Sequence, residues 1–177
     1  MNGFEHQLSG HMIWENMVLE GLAVERAIHD RYHAIRRNPW NEVECGDHYA
    51  RSMASYGVFL AACGFEAHGP KGHIGFAPRL TPENFKAPFT TTKGWGTFEQ
   101  NYQQSGLKAS ISIKYGQLRL KTLSLVPGKE MKTDSLKITL NGKKVDGSLI
   151  NKEGKINITL IKDILINEGE ILDVLCS

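Results

Sequence analysis

The densest concentration of groups able to do chemistry lies between Asn38 and Arg51, in the run Asn-Pro-Trp-Asn-Glu-Val-Glu-Cys-Gly-Asp-His-Tyr-Ala-Arg. Three carboxylates (Glu42, Glu44, Asp47), an imidazole (His48), a guanidinium (Arg51), an amide (Asn41) and an indole (Trp40) meet there within a few residues. Trp40 with Asn41, Glu42 and Arg51 suits a sugar. Carboxylate and guanidinium each hydrogen-bond paired hydroxyls, and an indole face packs on the apolar side of a pyranose. The plainer reading of the same residues is helix capping plus ion pairs. An acid/base pair made from Glu42 with Glu44 or Asp47 is poorly placed, because glycoside hydrolysis needs carboxyl groups roughly 5–10 Å apart on opposite sides of the scissile bond.

Metal binding is the competing chemistry. His29 and His33 are four residues apart on a helical pattern, His6 and His11 precede them, and Cys45, Asp47 and His48 complete a conceivable ligand set. The pair lacks the glutamate of a zinc-protease helix motif, and no second ligand pair has a fixed spacing, so the expectation is no metal and no cofactor. Cys63 falls on an apolar stripe, where a thiol behaves as a small hydrophobe rather than a nucleophile.

The elements that must carry this block are helical. Ile13, Met17, Val24, Ile28, Tyr32 and Ile35 recur at steps of three, four or seven, which predicts one long helix over 10–35 with Ser9 as its N-cap. Trp14, Val18 and Leu22 widen its apolar sector. Asn38-Pro39 ends it, since the residue before proline is pushed out of the α region. A second helix is expected from Asp47 to Cys63, with Tyr49, Met53, Tyr56, Leu60 and Cys63 as its stripe and Gly64 as a left-handed cap. Its other side is small (Ala50, Ala54, Ser55, Gly57, Ala61, Ala62) and permits close approach of a neighbouring helix. Both helices thus expose more apolar surface than two helices alone can bury.

Residues 64–100 read as a long ordered loop, punctuated by Gly69-Pro70, Pro78, Pro82 and Pro88, with one short helix capped at Thr81. Beyond about residue 100 the apolar period changes to two. Ile111, Ile113 and Tyr115 alternate, Gly116-Gln117 turns the chain, and a phase slip at Lys121-Thr122 marks a bulge within Leu118 to Leu125. Leu136 to Leu140 runs into Asn141-Gly142, a two-residue hairpin signal, and 156–160 and 171–175 supply further strands.

Composition limits the function classes. In 177 residues all 7 histidines and all 3 tryptophans fall within the first 95, so the chemistry is expected in the first half. A net charge of +2, with lysines spread along alternating strands, argues against a nucleic-acid partner. Three cysteines without a CxxC pair indicate reduced thiols and a cytoplasmic setting. Neither a signal peptide nor a membrane span is expected from the apolar pattern.

Several blocks together carry a resemblance. They are Gly3-Phe4-Glu5, Gly10-His11-Met12-Ile13-Trp14-Glu15, Ala27-Ile28-His29-Asp30-Arg31-Tyr32, the Asn38-to-Arg51 run, Ser52-Met53-Ala54-Ser55-Tyr56-Gly57, Gly69-Pro70-Lys71-Gly72-His73 and Gly75-Phe76-Ala77-Pro78-Arg79-Leu80. They closely resemble the C-terminal end of the catalytic region of glycoside hydrolase family 116, the family of non-lysosomal glucosylceramidase (bile acid β-glucosidase). The resemblance covers nearly all of residues 3–100.

It implies that residues 1–100 are C-terminal helices of an (α/α)6 barrel; with residues 101–177, whose period-two pattern reads as an antiparallel β module, the expected fold class is α+β. It also implies a retaining β-glucosidase acting on a β-glucoside substrate, with a glutamate nucleophile and an aspartate acid/base that have no counterpart in this sequence. The residues that carry over are Glu42 and Arg51, whose nine-residue separation matches the family's glutamate and arginine that bind glucose hydroxyls in the −1 subsite. Trp40, Asn41 and Asp47 would support that site rather than touch the sugar. The resemblance implies a piece of a larger hydrolase, from a truncated product, a misassigned start or a split gene, and inactive by itself. The alternative is a noncatalytic carbohydrate-binding or interaction module centred on the β region.

Overall fold

The computed structural model describes residues 2–32, 35, 52–103, 106–127, 131 and 134–177. The chain divides into two compact units, Met1–Gly64 and Phe65–Ser177.

The first unit holds three described helices: α1 (Asn2–Trp14), α2 (Val18–His29) and α3 (Ser52–Cys63). The single helix expected over 10–35 is two. Asn16 takes a left-handed conformation (φ 66°), which asparagine tolerates better than most residues, and the chain turns there from α1 into α2. Ser9 is therefore not a cap. It sits inside α1, fully buried, and its hydroxyl donates to the Gly21 carbonyl of α2 at 2.7 Å.

Close packing explains the small residues. A Cβ on Gly21 would lie 2.7 Å from Ile13 Cγ1 and 2.8 Å from the Ser9 carbonyl oxygen, so α2 can approach α1 only through a glycine. Ile13 also meets α3, where it clusters with Val58 and Ala61, and Leu22 of α2 packs against the same cluster. The small face of α3 is used as expected at Ala61, which is fully buried, and Gly64 (φ 54°) ends α3 in the left-handed conformation. Met53 and Tyr56, expected on the buried stripe, are exposed instead, as is Leu19 on α2. Gly21→Ala should destabilise this unit by about 1–3 kcal/mol, the usual cost of overpacking a tight contact. Urea denaturation followed by helical circular dichroism checks it, and an unchanged midpoint would show that α1 and α2 can part without cost.

The described residues of the second unit form ten strands. These are β1 (Glu66–His68), β2 (His73–Phe76), β3 (Asn84–Thr91), β4 (Gly94–Gln103), β5 (Gly106–Leu125), β6 (Leu136–Leu140), β7 (Lys143–Val145), β8 (Gly147–Lys152), β9 (Lys155–Asn167) and β10 (Ile171–Cys176). The long strand β5 organises them. Its first half pairs with β4 and β10, and β10 leads on to β6 and β7. Its second half pairs with β2 and β9, and these lead on to β1 and β8.

Side chains from both halves meet in one core. Phe76 of β2 stacks on Phe98 of β4 with ring centres 3.8 Å apart and planes 1° from parallel, while Phe65 and Phe89 pack around Phe76. Ile74, Ile111, Ile113, Leu120, Leu123, Ile156, Ile158 and Val174 complete the apolar interior. The Asn141-Gly142 hairpin forms as its sequence predicts, with both residues at positive φ (48° and 78°), and the register slip expected at Lys121-Thr122 falls between Leu120 and Thr122.

This architecture overturns the expected fold class. Helix and strand do coexist, but the helices are not a portion of an (α/α)6 barrel, and strand dominates the described chain. Residues 64–100, expected as loop, instead supply β1, β2, β3 and most of β4, with a short 3₁₀ turn at Gly69–Lys71. The helix expected after Thr81 is a turn, with Thr81 at φ 42° and the Asn84 amide donating to the Thr81 carbonyl at 2.9 Å. The prolines misled because Pro88 lies in β3, which pairs with β4 alone. A residue without an N–H costs no ladder bond on such an edge. Nor is the sheet purely antiparallel, since β2 runs parallel to β5 from His73↔Thr122 to Phe76↔Leu125. Gly116-Gln117 does not reverse the chain, and β5 continues through it.

Candidate functional site

Glu42, Arg51, Trp40, Asn41 and Asp47 all lie outside the described residues, as do His33, Cys45 and His48. The structure does define what frames them. Both α2, which precedes the block, and α3, which follows it, pack on α1. The chain leaving α2 is also tied to the start of α1. Arg31 donates to the Glu5 carboxylate (Nη1 at 3.1 Å) and to the Asn2 side-chain oxygen (3.1 Å), and Tyr32 is hydrogen-bonded by the Asn2 amide. The hydrogen bond from Arg31 holds the Glu5 carboxyl below its ordinary 4.5.

Of the conceivable metal ligands, His6 is buried and its Nδ1 lies 2.8 Å from Glu25 Oε2 of α2, so it serves helix pairing. Among the described residues no three His, Cys, Asp or Glu side chains gather around a point that could hold an ion. Burial pushes the Cys63 thiol up to about 11, well away from a reactive thiolate.

A cleft of about 450 Å³ opens in the second unit, lined by Glu66, Ala67, His68, Lys71, His73 and Thr122. The β1–β2 register places His68 opposite His73, and the parallel β2–β5 register places His73 beside Thr122. His73 Nδ1 is 2.8 Å from Thr122 Oγ1, and its Nε2 is 3.8 Å from Glu66 Oε2. Lys155 Nζ donates to both Glu66 oxygens at 3.1 Å. The connecting turn is clamped by Arg119, which donates to the carbonyls of Gly69 (3.1 Å) and Pro70 (2.6 Å) and to Asp163 (2.9 Å).

A hydroxyl, an imidazole and a carboxylate in sequence invite comparison with a nucleophilic triad, but the set does not close. Glu66 is engaged by Lys155 and stands beyond hydrogen-bond reach of His73, so nothing orients the ring as a base. Hydrolysis of a glycoside would need two carboxylates, and Glu66 is the one acidic residue lining this cleft.

Burial is the main influence on His73 and lowers it from 6.5, with Lys155 acting in the same direction and Glu66 against it. A histidine lowered in the folded state binds fewer protons than the unfolded chain does. Its contribution to stability is therefore complete above about pH 6.5 and is lost as the pH falls from there through the lowered folded value. Urea midpoints measured between pH 8 and pH 5 should fall on acidification, and His73→Gln should flatten that slope. Equal slopes in the two proteins would exclude His73 as the group responsible.

A second cleft, of about 400 Å³, lies where the β3–β4 hairpin, the middle of β5 and the β9–β10 turn converge, and is lined by Lys93, Tyr115, Gly116, Gln117, Asn167 and Glu168. Neither cleft is visible in sequence order, because their residues come from strands far apart in the chain. The signal that was available is Gly69-Pro70-Lys71-Gly72 between two short polar runs, which marks a hairpin and sets His68 against His73.

No known family model matches the chain, and neither does any curated protein. Among solved structures it is similar to an alpha-L-rhamnosidase from Dictyoglumus thermophilum, with 15% identity and a TM-score of 0.38 over 74% of this chain and 14% of that one. It is also similar to a structure described as a glycoside hydrolase, with 14% identity and a TM-score of 0.37 over 75% of this chain and 20% of that one. Both likenesses are distant and span a small part of the proteins concerned.

Proposed function

We propose that this chain contributes a sugar-binding surface to a glycoside hydrolase of the β-glucosidase, glucosylceramidase-like type, with Glu42 and Arg51 holding hydroxyls of a glucosyl unit. The observation that supports this reading is the Asn38-to-Arg51 block. Its residue types suit a pyranose, and its glutamate–arginine spacing resembles that of the family named above. In the sequence the block lies between α2 and α3, both of which pack on α1. The family's two catalytic carboxylates have no counterpart in the sequence, so a glucoside bound here is held without being cleaved.

Calorimetric titration of the full chain with methyl β-glucoside tests the reading. Hydrogen bonds to charged groups contribute about 1.5–3 kcal/mol, so Glu42→Gln and Arg51→Met should each weaken binding by about tenfold to a hundredfold. Binding that is indifferent to both substitutions would remove the assignment. Release of chromophore from an aryl β-glucoside by this chain would overturn the statement that it does not cleave.

A further inference from the structure

Trp95 and Tyr115 were assigned to different parts of the chain by their sequence patterns, one to a loop and one to a strand. The β4–β5 register makes them direct cross-strand partners. Along β4 the residues Gly96, Phe98 and Gln100 point inward, while Trp95 points out and is 47% exposed. On β5, Ile111 and Ile113 point inward, and strict alternation would send Tyr115 after them. The ladder slips between Trp95 and Gly96, where Gly96 pairs with Ile113 and Trp95 with Tyr115, so Lys114 is the extra residue. That bulge reverses the phase and turns Tyr115 to solvent beside Trp95, 63% exposed. Bulges re-aim side chains in this way, and two large aromatic rings on one open face are costly to leave without a use.

The surroundings of the pair are polar and held in place. Gly116 at φ 73° lets β5 pass the β3–β4 hairpin so closely that the Gln117 amide donates to the Lys93 carbonyl at 3.1 Å. Across from Gln117 stands Asn167, its register partner on β9. The turn that follows is fixed by Glu170, whose carboxylate accepts from the Asn167 backbone amide (2.7 Å), the Asn167 side chain (3.1 Å) and Asn141 (3.0 Å). Glu168 is thereby presented at the rim of the cleft.

We propose that Trp95 and Tyr115 form a platform that binds a neutral oligosaccharide, with Gln117, Asn167, Glu168 and Lys93 bonding its hydroxyls. A pyranose presents one apolar C–H face and a rim of hydroxyls that both donate and accept, and this site presents aromatic faces beside a rim of donors and acceptors. The rim carries one cation and one anion, so it favours neither charged sugars nor a nucleic-acid backbone, which would need a run of positive charge. The cleft volume of about 400 Å³ falls in the range of small-molecule sites. This platform uses none of the residues assigned to the glucosyl site between Asn38 and Arg51.

The test is calorimetric titration of the full chain with cellohexaose, xylohexaose and mannohexaose, with a proline-rich peptide and an oligothymidylate as other classes of ligand. At least one hexaose should bind. Trp95→Ala and Tyr115→Ala should each weaken it by about tenfold or more, as expected for aromatic anchors, while Trp95→Phe should stay within about threefold of the parent. Glu168→Ala, at an exposed turn, should cost about threefold by loss of one hydroxyl contact, with an unchanged urea midpoint as the check on folding. Failure of all three hexaoses to bind overturns the proposal, as does binding that survives the Trp95/Tyr115 double substitution. Binding of the peptide or oligothymidylate that depends on Trp95 would replace it with a different partner class. Hexaose binding lost in Arg51→Met but retained in Trp95→Ala would place the sugar at the glucosyl site and overturn the platform alone.

Discussion

Truncating Phe98 to alanine is expected to destabilise the β unit by about 3–5 kcal/mol, the range for removing a buried aromatic ring. Phe98 is fully buried and stacks face to face on Phe76 at 3.8 Å, with Phe85 at 6.2 Å on another side. It joins β4, whose ladder belongs to the first half of β5, to β2, whose ladder belongs to the second half. Removing the ring therefore leaves a cavity where those two parts meet, and Phe65 and Phe89, which pack on Phe76, lose the support of that stack. Since natural domains are stable by about 5–15 kcal/mol, the loss is a large fraction of the total. Guanidinium denaturation followed by tryptophan fluorescence measures it. The midpoint should fall with little change in slope, and Phe98→Leu should recover a large part of the loss. A shift below about 1 kcal/mol would mean that the core closes over the gap and that the Phe76–Phe98 stack is not a keystone.

Gly116→Ala is expected to cost about 2–4 kcal/mol, combining a positive-φ penalty with a backbone collision. At φ 73° the residue is in the region that L side chains avoid, and an added Cβ would lie 2.2 Å from the Lys93 carbonyl oxygen and 3.0 Å from Gly94 Cα. Both obstacles are main chain, so no side-chain rotation relieves them. Gly142→Ala separates the two contributions, because Gly142 has a similar φ of 78° but a Cβ there meets nothing within 4 Å. That control should cost about 1 kcal/mol. If the two variants prove equally stable, the β3–β4 hairpin yields without penalty and the close approach at Gly116 is not a constraint. Because the same approach sets Gln117 against Lys93 and Tyr115 beside Trp95, Gly116→Ala should also weaken oligosaccharide binding beyond its effect on folding.

Legibility in the sequence followed the range of the interactions involved. The Asn141-Gly142 hairpin, the Gly64 helix cap and the slip near Lys121-Thr122 were readable because each is set by the residues at or beside it. The same local rules misjudged 64–100. Prolines that usually break strands sit in turns or, for Pro88, on an unpaired strand edge, and whether a strand is an edge depends on the whole sheet. The break at Asn16 was hidden for a related reason. The apolar spacing runs through it at helical period, and what decides it is that Gly21 and Ser9 let α2 fold back against α1.

The candidate residues divide in the same way. Glu42 and Arg51 are proposed from residue type and separation on one short stretch, and they fall outside the described residues. Trp95 and Tyr115 were present as residues but not as a pair, and Glu66, His73, Thr122 and Lys155 were never associated.

Neighbouring residues were enough to read the chemistry available, the helical character of the first stretch, and period-two strands in both parts of β5, in β6, β7 and β10 and at the start of β9, but not β8 or the continuity of β5. Tertiary structure alone decided that the first helix is two, that the aromatic-rich middle is sheet, and which polar and aromatic groups meet. The physical reason is that a pattern of period two or 3.6 is written in neighbouring residues. Register and bulges instead arise from pairing between segments tens of residues apart, and a shift of one position in that pairing turns a side chain from the core to the solvent.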